Sequence, residues 1–289
     1  MIENLISNDM CTVLLSYAVV VPVFNNSSEL YAAVKSIACQ SIPPTIIIVV
    51  DDASTFAKTR VILNTLLSLY PSMLEISFHL KNEGASNARN TGILIAKKYN
   101  VDLIAFCDAD DKWHIEKMRK QMPLFEVPGI QAVGSQVQLG SNWNLPGTYS
   151  LKLLTKFDLL TRNYIQPSTL VVRTLALNAI GPFPQNRRYA EEGDLYLRLA
   201  EYGTIARLEL PLVIYYTNSS PSILAPVTME LQIQKNRLSE NVLSMYFGCL
   251  LNLYNCRSRR SLSFPLFLIF VLLLCCRFLR RISRGFFIF

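Results

Sequence analysis

The sequence has only two histidines, no C-x-x-C pair, and neither a G-x-G-x-x-G nor a G-x-x-x-x-G-K-[ST] run. Each absence excludes a class of chemistry. Its seven cysteines, an odd number, are scattered at 11, 39, 107, 249, 256, 275 and 276 with no neighbouring histidine, which argues for a reducing compartment and against a zinc site. The missing glycine motifs disfavour a dinucleotide site and leave no Walker-type phosphate loop, so any nucleotide must be held by other groups. The opening residues MIENLISNDM carry acids and no basic residue, so no cleaved secretory signal is expected. Acid is missing altogether from residues 257–289, which hold seven arginines; the other 21 of the 28 Lys and Arg match the 21 Asp and Glu. The charge of +7 therefore belongs to the tail, and the first 256 residues are neutral. A nucleic-acid binder needs a basic face on its folded body. An arginine-rich apolar tail fits a membrane surface instead.

What is present is ample apolar material. At 289 residues and 51% hydrophobic content, the chain can bury a full core as one large domain or as a domain with an appendage. The longest uncharged run, SLSFPLFLIFVLLLCC at 261–276, would reach roughly 24 Å as a helix, short of a hydrocarbon core of roughly 30 Å. With flanking arginines it reads either as a strained span with snorkelling side chains or as an in-plane anchor continuing through RFLRRISRGFFIF.

Upstream, strand and helix patterns alternate. YAVVVPVF (17–24) and TIIIVV (45–50) are short, continuous, β-branched runs of the kind found in parallel strands covered on both faces. Between them, Asn26 with Glu29 reads as a helix N-cap and its acid, and Leu30, Val34 and Ile37 follow at helical spacing. A helix near 59–69, the strand EISFHL, a helix over 85–99 and the strand DLIAFC continue the series. The expected fold is α/β: a doubly wound, mostly parallel sheet with a Rossmann-like nucleotide-binding half, followed by a C-terminal helical, apolar extension. Ligands of such sheets bind beyond the carboxyl ends of the strands.

Three successive strand ends deliver acids or amides to that edge: PVFNN, then Asp51 and Asp52, then Asp108, Asp110 and Asp111 in FCDADDKW. Any one of them alone is more often a turn or cap residue. Carboxylates this crowded repel unless they face water or receive a cation. An EF-hand starting at Asp108 fails, because Trp113 stands where glycine is needed and Arg119 where the bidentate Glu belongs. A phosphotransferase D-x-D-x-[TV] motif is a poor fit too, since Lys112 takes its last position.

Taken in order, VVVPVFNN, IIIVVDDAS, NEGASNARNTGI, FCDADDKWHIEKM and AEEGDLYLRLAEYG resemble the family 2 glycosyltransferases of the GT-A fold, over about residues 17–216. The resemblance implies metal-dependent, inverting transfer of a sugar from a nucleotide-diphosphate donor, a UDP-sugar first among them, to an acceptor hydroxyl. It assigns Asp108 and Asp110 to a D-x-D element, with Asp110 the direct ligand of Mg²⁺ or Mn²⁺, Asp108 nearer the ribose and Asp111 a close substitute for either. Pro22, Phe24, Asn25 and Asp52, with Asp51 beside it, fall where the family holds the base. Arg89 falls near the diphosphate, and reads equally as a salt bridge locking Asp108 or Asp52. The acceptor hydroxyl needs a general base. Glu192 takes that position, with Glu191 and Asp194 as alternatives, although the family more often has Asp there.

Two other departures stand out. Tyr216 and Asn218 occupy the Arg and His places of a Tyr-Arg-x-His element, and QKNRL ends in Leu238 where processive synthases carry Trp. A single-addition enzyme is expected. The division implied is a catalytic domain over 1–225 and a helical extension over 226–289 whose membrane-associating segment is 261–289. The expected setting is the cytoplasmic face of the cell membrane, with a saccharide or lipid-linked acceptor in surface polysaccharide or glycolipid assembly. A non-catalytic, membrane-tethered binder of sugar nucleotides is the competing expectation.

Overall fold

The computed structural model describes residues 15–26, 28–140, 142–161, 165–185 and 191–215. The expected extension over 226–289, its segment 261–289, and the positions Tyr216, Asn218 and Leu238 lie outside the described residues. No helix among the described residues is long and apolar enough to cross a membrane. By its internal contacts the chain divides into one compact unit of 1–155 with 164–216, and a second of 156–163 with 217–289.

In the first unit, β1 (Tyr17–Val23), α1 (Ser28–Ala38), β2 (Ile46–Asp51), α2 (Ala57–Leu69), β3 (Leu74–Phe78), α3 (Ala85–Ala96) and β4 (Leu103–Phe106) follow one another in strict alternation. The apolar runs become central strands because no residue of β2 or β4 keeps a side exposed to water. Helix α1 begins as its sequence suggests, with the Leu30 amide donating to Asn26 Oδ1 at 3.1 Å. Further on come β5 (Lys112–Trp113), α4 (Lys117–Gln121), β6 (Ile130–Leu139), β7 (Leu151–Leu154), β8 (Val171–Arg173), α6 (Thr174–Ile180), α7 (Glu191–Tyr202) and β9 (Thr204–Tyr215). Between β7 and β8 lies α5 (Lys156–Thr161), the described part of the second unit.

The strand order is β3-β2-β1-β4-β8-β6-β9-β5, with β7 paired to β9. Strands β1 to β4 run parallel, as expected; beyond β4 the sheet is mixed, since β8 is antiparallel to both β4 and β6 while β6 and β9 run parallel. From β1 the chain crosses first to β2 on one side and later to β4 on the other. The crevice between the carboxyl ends of β1 and β4 is therefore the topological switch point.

Pro22 marks where that crevice opens. Val20 accepts from the Cys107 amide on the β4 side, and Pro22, two residues on, faces the same side after the β1–β4 ladder has ended at Phe106. Its missing N–H costs the sheet no ladder bond, which is the condition for a proline in an interior strand. Helix α3 closes down on β1 at Gly92. A Cβ there would stand 2.2 Å from Val20 Cγ1, so only glycine permits this approach.

Candidate active site

The block Arg89-Asn90-Thr91-Gly92 acts as a bracket beneath the rim, each residue holding a different segment. Arg89, almost wholly buried, donates from Nη2 to Asp108 Oδ1 at 2.6 Å and holds Nη1 4.0 Å from Glu192 Oε1. Of the two partners open to Arg89 from sequence, the structure pairs it with Asp108. Asn90 pairs with the backbone of Phe183, donating to its carbonyl at 2.9 Å and accepting from its amide at 2.8 Å. Phe183 then packs edge-on against Phe106 of β4, ring centroids 5.3 Å apart, and beneath the Arg89 guanidinium. Thr91 Oγ1 shares a hydrogen bond with His79 Nε2 at 2.9 Å. One helical turn thus ties the turn at Asp108, the segment at Phe183 and the loop after β3 to a single frame.

The acids at the end of β2 and the amide after β1 shape the rim from within. Asp52 Oδ1 accepts from His79 Nδ1 at 2.7 Å and from the Glu83 amide at 2.9 Å, and Oδ2 accepts from the Gly84 amide at 2.7 Å. Gly84 has φ +87°, a left-handed value that suits glycine as the chain enters α3. Asp51 Oδ1 accepts from the Ser54 amide at 3.0 Å. Asn25, itself left-handed at φ 52°, accepts through Oδ1 from the amides of Thr55 at 2.8 Å and Phe56 at 3.1 Å. These three side chains, assigned by resemblance to a nucleotide base, each hold a loop in shape. Phe24 beside them leaves 48% of its surface exposed, a flat apolar face at the mouth of the crevice.

The carboxylate cluster sits at the end of β4. The Asp108 amide donates to Ser168 Oγ at 2.9 Å, and the Asp111 amide donates back to the Asp108 carbonyl at 3.1 Å, closing a tight turn. Asp110 is half-buried. Burial, then the Asp108 charge and more weakly Glu29 of α1, push its carboxyl above the ordinary range. Asp111 is buried. Among the described residues no three Asp, Glu, His or Cys side chains form a metal cage. Hard oxygen donors in ones and twos, held against like charge, do fit Mg²⁺ or Mn²⁺, which complete their shells with water and phosphate oxygens.

Behind the cluster, Trp113 Nε1 donates to the Ser168 carbonyl at 2.9 Å, so the indole fixes the turn that fixes Asp108. The Lys117 ammonium, fully buried, lies 3.8 Å from the centre of the Trp113 ring. Burial pulls its pKa down from 10.5 to about 7. The unfolded chain therefore binds more protons than the folded one between pH 7 and 10.5, and Lys117 contributes stability that rises with pH across that window. Denaturant unfolding at pH 6.5 and pH 9 is expected to show a gain for the wild type that Lys117→Met lacks, with the variant the more stable at pH 6.5. Equal pH slopes would remove Lys117 as the cause.

On α7, Glu192 reaches Arg89 as described. Asp194 Oδ2 instead accepts from Arg198 Nε at 2.8 Å, and Arg198 also donates to the carbonyls of Ile180, Gly181 and Pro182. Asp194 thereby docks the helix onto the preceding loop. The Glu191 side chain lies outside what is described. Trp113, Ser168, His79 and Asn90 belong to the site without any local sequence signal that marks them. Ser168 and Asp108 are 60 residues apart, and nothing in the spacing of QPST distinguishes it from an ordinary turn.

A parallel βαβ half with acids at its switch point, and a helix delivering a carboxylate to the same frame, define an α/β protein of GT-A type. Residues 18–181 match the model of the glycosyl transferase family 2, and the chain belongs to that family. It is 26% identical over 224 residues to the Escherichia coli UDP-Glc:alpha-D-GlcNAc-diphosphoundecaprenol beta-1,3-glucosyltransferase WfaP, covering 76% of this chain and 84% of WfaP. The solved structures that share its fold include two with a bound nucleotide sugar. Staphylococcus aureus TarS in complex with UDP-GlcNAc is 18% identical with a TM-score of 0.59, covering 81% of this chain and 71% of that one. The mannosyltransferase PcManGT of Pyrobaculum calidifontis, in complex with GDP-Man and Mn²⁺, is 12% identical with a TM-score of 0.60, covering 99% and 86%.

Proposed function

We propose that the protein is an inverting glycosyltransferase that moves a sugar from a nucleotide-diphosphate sugar, UDP-linked before GDP-linked, to a hydroxyl of a saccharide or lipid-linked acceptor in surface polysaccharide or glycolipid assembly. One observation carries the reading: Arg89 holds Asp108 of the acidic turn and Glu192 of α7 on a single guanidinium. Groups suited to the leaving diphosphate and to the attacking hydroxyl are thereby set across one crevice, as displacement at a single carbon requires.

Glu192 takes the proton from the acceptor hydroxyl as its oxygen bonds to the anomeric carbon. On the opposite face the bond from that carbon to the diphosphate breaks, and the electron pair leaves with the phosphate oxygen. Asp110, with Asp108 and Asp111, would hold Mg²⁺ or Mn²⁺, which when bound offsets the charge growing on the diphosphate. Phe24 offers a face for the base, and Asp52 keeps one of its four lone pairs for a base N–H beyond the three donors it already meets.

The UDP-linked donor and the lipid-diphosphate acceptor in the name of WfaP, and Mn²⁺ in the PcManGT complex, support this reading by kinship. The arginine-rich apolar tail of the sequence supports placing the proposed attachment at the cytoplasmic membrane face, peripheral or through one C-terminal anchor. The test is nucleoside diphosphate release from a panel of UDP-, GDP- and dTDP-sugars with Mn²⁺ or Mg²⁺, with and without a lipid extract as acceptor. One donor class is expected to turn over, faster with acceptor. Binding without turnover under every condition would leave a sugar-nucleotide-binding protein in place of the enzyme.

A further inference from the structure

We infer that the corner where β3 ends and α2 begins is a bilayer-contacting surface: Phe56, Phe78 and Leu80 enter the headgroup boundary of an anionic membrane, and Lys58, Arg60 and Lys81 meet its lipid phosphates. The surface is separate from the arginine-rich tail, because it lies on the folded body. Strand alternation builds it. The His79 ring is held on one side between Asp52 Oδ1 at 2.7 Å and Thr91 Oγ1 at 2.9 Å, and its amide donates to the Asp51 carbonyl at 2.8 Å. Phe78 and Leu80, flanking it, are thereby turned the other way. Phe78 leaves 52% of its surface to water and Leu80 all of it. Phe56 joins them from the N-cap of α2, where Ser, Thr, Asp or Asn ordinarily serves, and makes no side-chain cap. Its amide donates to Asn25 Oδ1, while its ring stays exposed. The Arg60 guanidinium, 5.7 Å from the centre of the Phe78 ring, joins the α2 and β3 parts into one patch.

Charge and size select the occupant. Helix α2 has no acid in its first turn, so Lys58 and Arg60 bring positive charge that nothing in that turn balances. Glu83 stands 3.6 Å from the Lys81 ammonium and moderates that charge alone. Large apolar side chains interleaved with long basic ones suit an anionic interface, where the apolar groups leave water and the cationic heads reach back to phosphate. A second copy of the chain would need roughly 800 Å² on each partner, well beyond what three apolar side chains offer. The acidic turn does not cancel the attraction: β2 and β1 separate β3 from β4, a distance of about 14 Å at ordinary strand spacing, and charges are screened over about 8 Å at physiological salt. β1 to β4 run parallel, so the patch and the crevice mouth share the carboxyl edge of the sheet. Contact there presents the crevice to lipid, which suits a lipid-linked acceptor; that consequence rests on the proposed transferase reading.

The test floats the full chain with vesicles of phosphatidylcholine, with and without phosphatidylglycerol, and footprints the bound protein with hydroxyl radicals. Phosphatidylglycerol vesicles are expected to shield Phe56, Phe78 and Leu80 from oxidation. Phe78→Ser combined with Leu80→Ser is expected to weaken partitioning about tenfold, a part of the transfer free energy of two such side chains. Lys58→Gln combined with Lys81→Gln is expected to weaken it about tenfold or more on anionic vesicles alone, at roughly fivefold per surface charge. Both pairs are expected to keep the wild-type melting temperature, since the side chains are exposed. Flotation with the three side chains oxidised as fast as in free solution assigns binding to the tail and overturns the inference, and so does a failure to float. A concentration-dependent dimer in sedimentation velocity that the Phe78 and Leu80 changes dissolve overturns it as well, since the face then serves a second copy. None of these readouts needs turnover. A wild type that floats and is shielded but transfers no sugar counts against the transferase reading and leaves the surface standing.

Discussion

Asp110→Asn is expected to abolish Mn²⁺-dependent donor binding, weakening it by on the order of 10²-fold or more, while leaving the metal-free protein folded and slightly more stable. Both effects come from one carboxylate. Burial and the Asp108 charge raise the Asp110 pKa from its ordinary 3.8. A group whose folded pKa lies above its unfolded value binds more protons when folded, so stability falls as pH rises through that window. At pH 7 the ionised Asp110 therefore weakens the metal-free fold, and the amide relieves the repulsion. The same relief removes the attraction for a divalent cation, whose electrostatic contribution at such a site amounts to several kcal/mol. The side chain is half-buried at the rim, so the exchange opens no core cavity.

Calorimetric titration of the nucleotide sugar with and without Mn²⁺, beside a melting curve of the metal-free protein, checks both halves. Undiminished metal-dependent binding would place the cation elsewhere. A lowered melting temperature would show that Asp110 supports the fold rather than the ligand.

Residues 17–107 were readable because their signals are local. A run such as IIIVVD packs on both faces whatever lies elsewhere, and Leu30, Val34 and Ile37 share a helical face by spacing alone; all three are fully buried. The acids at the ends of β2 and β4 pointed to the rim for the same reason. The second half of the sheet was harder to read. Strands β6 and β9 pair through register shifts at Ile130/Ala132 and on either side of Gln136, and such irregularities break the two-residue alternation that identifies a strand.

Side-chain roles were the least legible part of the site. Asp52 and Asn25, which resemblance sets at the base, also accept from backbone amides some 30 positions away, at Glu83, Gly84, Thr55 and Phe56, and Asp52 from His79 as well. Whether an acid at a strand end faces a ligand or its own loop depends on where the next loop returns, which no local spacing encodes. Arg89 shows the converse. Its two sequence readings, near the diphosphate or locked to a carboxylate, are compatible, because the residue it locks is itself part of the acidic turn.

Glu192→Gln is expected to lower transfer by on the order of 10² or more, the range for loss of a general base, with little change in donor affinity. The amide has the size and reach of the carboxylate but cannot accept the acceptor hydroxyl's proton as an ionised base does. Donor affinity is expected to be spared because the carboxylates proposed to hold the metal and the diphosphate lie in the acidic turn and not on α7. Position matters as well as charge. Glu192 Oε1 stands 4.0 Å from Arg89 Nη1, so a shorter side chain at 192 would draw back from both the guanidinium and the crevice. Glu192→Asp is accordingly expected to recover only part of the lost rate.

Asp194→Asn separates the other candidate. Because Asp194 accepts from Arg198, which also binds the carbonyls at 180–182, that change is expected to lower the melting temperature more than it lowers turnover per folded molecule. Steady-state transfer kinetics of the three variants, alongside donor titrations, distinguish the roles. Full turnover in Glu192→Gln would hand the base to Glu191 or Asp194. A loss confined to Glu192→Gln at unchanged donor affinity places proton removal on the carboxylate that Arg89 ties to the acidic turn.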